Sequence, residues 1–439
     1  MAQAEESRRL CLEVAAIRRP LLATARATTD AAEPWTPSQV RTKGLRVGIA
    51  TLLFSPPLSA RSRCVESFRG CGLLPWCTAA RHMIAALKEN GFLGSVELLA
   101  ITDQGRSNSS TAAVCPGDRL ILEDCPGLRL IRPTRGLLQA AQQHIHRVLK
   151  GGVMSYGPEY VRPRIGVFWK WELLRLGKDY DAVLFTDMDV DLAKRPSLDG
   201  AHYMKHMRDT ARQWMQSLPR LVARSKVEPR PLRMLCYGDV TSPFIAAVFW
   251  IFPPLGEHLY RDGLHVLRAP WNYSHGWNLS GTPKELFASA PGLNIAQSGW
   301  DDIDSGDLEQ GWMLYMLFHR HQAGALMTRK GAHVRHYVWG SSEKPWTRVL
   351  NWLHRGPNKK PCDKHVLLFR AYVLELLPLD GATTGSVCAA DFARAKLALS
   401  SPQLNATACC DTIPHHVNGA GMAGASLDNL FRAIQVPLF

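Results

Sequence analysis

Apolar and polar positions alternate between two regimes along the first half of this chain. Short, mostly apolar runs, Arg46–Leu53 and Ser95–Thr102, read as strands, and Leu128–Arg132 reads as a third. Between them, residues 78–89 and 136–150 carry apolar positions at helical spacing, the first closed by the stop signal Asn90-Gly91. Val167–Leu176 is a further helical stretch, and Ala182–Phe185, after Tyr180-Asp181, is again continuously apolar. Strands alternating with helices predict an α/β layer on a mostly parallel sheet. The second half is less regular. His202–Leu218 and Leu308–His321 read as helices and Ile245–Phe252 as a fully apolar strand, with another helix-like run at Val366–Leu377.

The run Ala182–Thr186 opens into Asp187, Asp189 and Asp191. On an extended strand alternate residues share a face, so these carboxylates would point the same way if the strand continued. Three like charges on one face call for a positive partner, and a divalent cation with a phosphate-bearing substrate is the natural one. In parallel α/β sheets ligands bind beyond the carboxyl ends of the strands, where this cluster stands. Asp-x-Asp alone also occurs as a solvated strand end or an Asx turn. Here it is joined by Asp191 and preceded by Lys170-Trp171-Glu172-Leu173.

Composition narrows the picture. The chain has 439 residues, 46% of them hydrophobic, enough for a large core. With 52 Lys and Arg against 38 Asp and Glu, the formal net charge of +14 favours acidic partners such as nucleotides and sugar phosphates. No basic–aromatic pattern of a nucleic-acid module occurs, so no nucleic-acid partner is expected. Ile245–Phe252 lies between Pro243 and Pro253 and is too short to span a bilayer, so no transmembrane segment is expected. The 11 cysteines are scattered without Cys-x-x-Cys, against a zinc ribbon or redox dithiol. Sequons start at Asn108, Asn272, Asn278 and Asn405 and would be used only in a secretory lumen. Residues 8–29 are rich in Arg and Ala, as in transit peptides, although Glu5, Glu6 and Glu13 oppose that reading. The compartment is therefore left open between secretory lumen (Golgi), cytoplasm and plastid. The His144/His146, His319/His321 and His415/His416 pairs read as surface or helix residues.

A second informative segment is Val334–Trp346, with His336, Gly340 and Lys344. Glycine lets backbone amides approach a phosphate and lysine supplies fixed positive charge. Taken with the lysine-bearing helix and Asp-x-Asp, this segment resembles the His-Phe-x-Gly-x-x-Lys-Pro-Trp signature of family-eight glycosyltransferases, the glycogenin-like enzymes. The resemblance covers roughly residues 46–350 and keeps the family's order of motifs. It implies a GT-A fold, a Rossmann-like, mostly parallel central sheet flanked by helices. It also implies a retaining, manganese-dependent hexosyltransferase using a UDP-sugar and a carbohydrate or glycoprotein acceptor, with a homodimer left open. Asp187, Asp189 and His336 would be the metal ligands. Gly340 and Lys344 would hold the diphosphate, Lys170 would lie near the nucleotide or sugar, and Thr51 near the uridine. Asp307, Glu309 and Gln310 would sit beneath the reacting sugar.

The chain departs from the family in three places. The His336–Lys344 loop is two residues longer, the family's Asn-Ser/Ala-Gly strand start is replaced by Ile245-Ala246-Ala247, and Asp-Gln becomes Glu309-Gln310. Loss of the Asn removes a polar group expected near the donor sugar. The expected organisation is a disordered extension over 1–44, a GT-A domain over 45–360, and a helical or irregular C-terminal extension over 361–439. Two competitors stand beside this reading. One is a non-catalytic nucleotide-sugar-binding protein of the same fold. The other is a sugar-phosphate nucleotidyltransferase, disfavoured because Leu52–Pro57 follows the first strand where a Gly-rich phosphate loop is expected.

Overall fold

The computed structural model describes residues 42–53, 73–102, 125–150, 161–188, 190–192, 203–227, 232–236, 245–252, 257–288, 299–300, 303, 305–326 and 335–336. Residues 1–41 of the expected N-terminal extension and all of 361–439, including Val366–Leu377, lie outside these residues.

β1 (Arg46–Leu53), β2 (Ser95–Thr102), β3 (Arg129–Ile131) and β4 (Ala182–Thr186) form one side of a seven-stranded sheet, with β6 (Met234–Cys236), β7 (Val248–Ile251) and β8 (Gly324–Leu326) completing it. The order is β3-β2-β1-β4-β7-β6-β8. β1 pairs in parallel with β2 and β4, and β2 with β3. β7 runs antiparallel between β4 and β6, and β6 is again parallel to β8. The chain is thus an α/β protein with a mixed, mostly parallel sheet.

Alternation along each strand sorts the core into two layers. Val47, Ile49, Leu184 and Trp250 face α1 (Leu73–Glu89) and α4 (Tyr203–Arg224), where the Trp250 and Trp214 rings meet edge to face at 4.8 Å. Ala50, Leu52, Phe185 and Phe249 join the opposite layer. That layer holds α2 (Arg135–Lys150), α3 (Val161–Val167), a 3-10 winding over Phe168–Lys178, α5 (Glu257–Arg268) and the short α6 (Pro283–Phe287). Because both faces are covered, the central strands are apolar on both faces over most of their length. Two contacts pin the layers: Arg147 donates to the carbonyls of Leu267, Arg268 and Ala269 at the end of α5, and a Cys77–Cys125 disulfide ties α1 to the approach to β3.

The helix expected at Val167–Leu176 is wound as 3-10 from Phe168 onward, which eclipses side chains three apart and packs Phe168, Trp171 and Leu174 on one buried flank. The helix expected at Leu308–His321 is α7 (Glu309–Leu314) followed by a π winding over Tyr315–Arg320. The largest correction concerns the acidic run. β4 ends at Thr186 because the chain turns, Val190 N–H donating to Asp187 O at 3.1 Å. β5 (Val190–Asp191) then pairs antiparallel with β9 (Arg335–His336) in a separate two-stranded sheet. Asp187 and Asp191 therefore do not share one extended strand.

Candidate functional site

The carboxyl end of β4 is where buried charge collects. Lys170, on the 3-10 winding, is 2% exposed, and its ammonium makes three polar contacts. Nζ donates to the Glu309 carboxylate at 3.0 Å and to the Ala246 carbonyl at 2.9 Å, and lies 3.6 Å from Asp187 Oδ1. It also stands 4.9 Å over the Phe185 ring, a cation–π contact. Burial alone would push this lysine's pKa down. The Asp187 and Glu309 carboxylates outweigh it, and the pKa stands above the ordinary lysine value, so the group is charged at neutral pH.

The two carboxylates differ. The Glu309 side chain is 9% exposed and is enclosed with its lysine, while the Asp187 side chain is 34% exposed. One acidic group closes the cluster and the other opens it to solvent. Two carboxylates against one ammonium leave one negative charge at that opening.

The strand start Ile245-Ala246-Ala247 supplies this site through its backbone. Ala246 O accepts from Lys170, Ala246 N–H donates to Gln310 Oε1 at 3.0 Å, and Ala247 O accepts from Asp187 N–H at 2.7 Å. Thr186, just before Asp187, is held from α1 by Trp76 Nε1–H at 2.7 Å.

Asp307 lies beside the cluster, on the turn before α7. It is buried, and burial raises its pKa above the ordinary aspartate range despite the Tyr273 hydroxyl donating to Oδ2 at 3.1 Å. Its own carbonyl contacts His144 Nε2 at 2.7 Å. A carbonyl only accepts, so Nε2 carries the proton, and Nδ1 has no hydrogen-bond partner among the described residues. Burial lowers the His144 pKa to about 4, and its ring stacks on Trp277 at 4.6 Å. His144 is therefore a neutral internal histidine that holds the Asp307 turn. The sequence places it on a helix but does not reveal that it is buried.

Thr51 is fully buried on β1, one residue past the Ala50–Phe185 pair, and its hydroxyl has no hydrogen-bond partner among the described residues. An orphaned hydroxyl near the carboxyl end of β1 has unused capacity for a ligand polar group. Val190 and His336 are backbone partners, which brings the His336 segment beside the turn that follows Asp187.

The structure therefore brings together Lys170, Asp187, Glu309 and Gln310, with Asp307 adjacent. Asp189, Gly340 and Lys344 lie outside the described residues, and the His336 side chain is not described. Among the described residues no group of three or more His, Cys, Asp or Glu could hold a metal ion. Of the three expected ligands, only Asp187 has a described side chain. Tyr273 and Ala246 are additional site residues. Tyr273 carries no motif, and Ala246 acts through its backbone, so neither leaves a signal in residue type.

Among the described residues no helix is long and apolar enough to cross a membrane. No protein-family model matches the chain, and no curated protein matches it.

Proposed function

We propose that this protein is a retaining glycosyltransferase of GT-A type that moves a hexose from a UDP-sugar to a carbohydrate or glycoprotein acceptor. The observation that carries the reading is the Lys170–Asp187–Glu309 cluster at the carboxyl end of a central strand, open to solvent through Asp187. A mostly parallel sheet with helices on both faces supports the fold assignment.

The donor set suits manganese: two carboxylates, Asp187 and Asp189, and the imidazole of His336. Pairing of Val190 with His336 supports this set, since it sets the two donor segments side by side. When bound, the ion supplies positive charge against the departing diphosphate. Lys170 pairs with Glu309 and orients Asp187, whose half-open carboxylate would face the cation. Gly340 and Lys344 would bind the diphosphate, and the Thr51 hydroxyl would accept or donate to the uridine.

In the transfer, the acceptor oxygen bonds to the anomeric carbon on the face from which the diphosphate leaves. The carbon–oxygen bond to the diphosphate breaks with its electron pair, and the acceptor proton passes to the departing phosphate oxygen. This route fits the residues present, because Glu309 is tied to Lys170 and Asp307 to Tyr273. Gln310 braces the strand start beneath the sugar through Ala246.

The test is incubation of the full chain with a panel of nucleotide sugars and manganese, reading released uridine diphosphate. Release with one donor is expected. Binding of a UDP-sugar without release identifies a non-catalytic binding protein, and neither binding nor release sinks the proposal. Separate Asp307→Asn and Glu309→Gln variants that both keep the parental rate would remove these residues from the chemistry.

A further inference from the structure

Between α5 and α6 the chain makes a tight surface turn containing the sequon Asn272-Tyr273-Ser274. Asn272 O accepts from Gly276 N–H at 2.7 Å, and Asn272 Oδ1 accepts from His275 N–H at 2.9 Å. Gly276, at φ +63°, lies against the Trp300 indole, and a Cβ there would collide with the ring. The turn is thus anchored on its inner side by a buried tryptophan. Its outer side presents Asn272, Ser274 and His275, all exposed. Oδ1 is used inside the turn, while the Asn272 Nδ2 amide has no hydrogen bond to any described residue.

The neighbouring sequon is different. Asn278 is half-buried beside buried Trp277, with φ +55°, and its Ser280 hydroxyl is engaged by the Tyr315 hydroxyl at 2.9 Å. A bulky, solvated substituent fits at Asn272 and not at Asn278.

An independent observation points to the same compartment. Cys77 and Cys125, both buried, form a disulfide across 48 residues of sequence. Such structural disulfides belong to oxidising compartments and are rare in the cytosol of mesophiles. Cys236, the described cysteine left as a free thiol, is buried on β6, away from oxidants.

We propose that Asn272 carries an N-linked glycan, added in the oxidising secretory lumen that also closes the Cys77–Cys125 disulfide. In the attachment, Asn272 Nδ2 bonds to the anomeric carbon of an oligosaccharide delivered on a polyprenyl diphosphate. The bond from that carbon to the diphosphate breaks, the diphosphate leaves with the electron pair, and one amide proton is lost to a base of the transferring enzyme. In the oxidation, two thiols give up two protons and two electrons to a disulfide oxidant, which becomes a dithiol. This inference stands on the turn and the disulfide and does not depend on the glycosyl-transfer reading.

The full-length protein isolated from its own cells provides the test. Treatment with peptide N-glycosidase in heavy-oxygen water is expected to raise gel mobility and to convert Asn272 to labelled aspartate in the mapped peptide. Asn272→Gln is expected to remove that site's share of the mobility shift, as is Ser274→Ala with Asn272 intact, whereas Ser274→Thr retains it. Peptide mapping without reductant is expected to recover Cys77 and Cys125 linked. An unlabelled, unmodified Asn272 peptide overturns the glycan, and alkylation of Cys77 and Cys125 as free thiols in the native protein overturns the compartment.

Discussion

Lys170 and Glu172 stand two residues apart on the same 3-10 winding, carry opposite charges and are buried to the same degree, 2% and 1% exposed. Their surroundings are not alike. Glu172 is saturated: Thr134 N–H donates to it at 2.7 Å, the Tyr260 hydroxyl at 2.6 Å and Arg175 at 3.0 Å. Thr134 in turn caps α2, accepting from Leu137 N–H at 3.2 Å. Every group in that set is used to join the winding to α2 and α5. The partners of Lys170 instead include a carboxylate, that of Asp187, which water reaches. Buried charge serves packing where its circle of partners is closed, and it is available for chemistry where one partner faces outward.

The comparison is broken most sharply at Lys170. Lys170→Met leaves Glu309 as a buried unpaired charge, and a loss of about 3–5 kcal/mol is expected in denaturant unfolding. Turnover is expected to vanish together with it. Glu309→Gln in the same background restores much of the stability without restoring turnover, which separates folding from chemistry.

The next effect is one of pH. His144 binds its proton at about pH 4 when folded and near 6.5 otherwise. Below 6.5 the unfolded chain takes up a proton that the native chain refuses, so stability falls as pH drops from 6.5 to about 4 and is flat with respect to this group below that. The expected loss is about 3 kcal/mol. His144→Gln keeps a donor to the Asp307 carbonyl and is expected to remove this share of the acid sensitivity. An unchanged pH profile would show that His144 is not the group that titrates.

Glu172→Gln sharpens the contrast from the closed side. It keeps the oxygen acceptor and loses the charge, at an expected cost of about 2 kcal/mol, with the KM for donor unchanged. Smallest is Tyr260→Phe, which removes the hydroxyl between Thr134 and Glu172 and is expected to lower stability by about 1 kcal/mol, with no change in turnover. A change in donor KM in either variant would mean that the two clusters act as one.

Much of the first half of the fold is legible in the chain, because β1, β2 and β4 are mostly apolar and paired over most of their length. β6 and β8 have three residues each and take their conformation from neighbours, so no local pattern announces them. α5 mixes His, Arg, Asp and Gly263 with its apolar positions and was equally silent; Gly263 lets the Trp171 ring approach its backbone. The turn after Thr186 was hidden because the Asp spacing mimics a continuing strand.

At the site, the family resemblance implied a shared neighbourhood for Lys170, Asp187, Glu309 and Gln310, and the fold brings them together. Tyr273 and His144 were not legible as partners of Asp307. One of those bonds goes to a backbone carbonyl 163 residues away, and no residue type records such a contact.

That last circumstance has a consequence for descent. Lys170, Gln310 and Asp187 all address residues 246 and 247 through main-chain atoms. Selection on those contacts constrains the path of the backbone and leaves the side chains at these two positions free to drift within the limits of burial. A lineage can therefore rewrite the letters of this strand start while keeping its hydrogen bonds. Kinship measured by letters fades here sooner than kinship measured by shape.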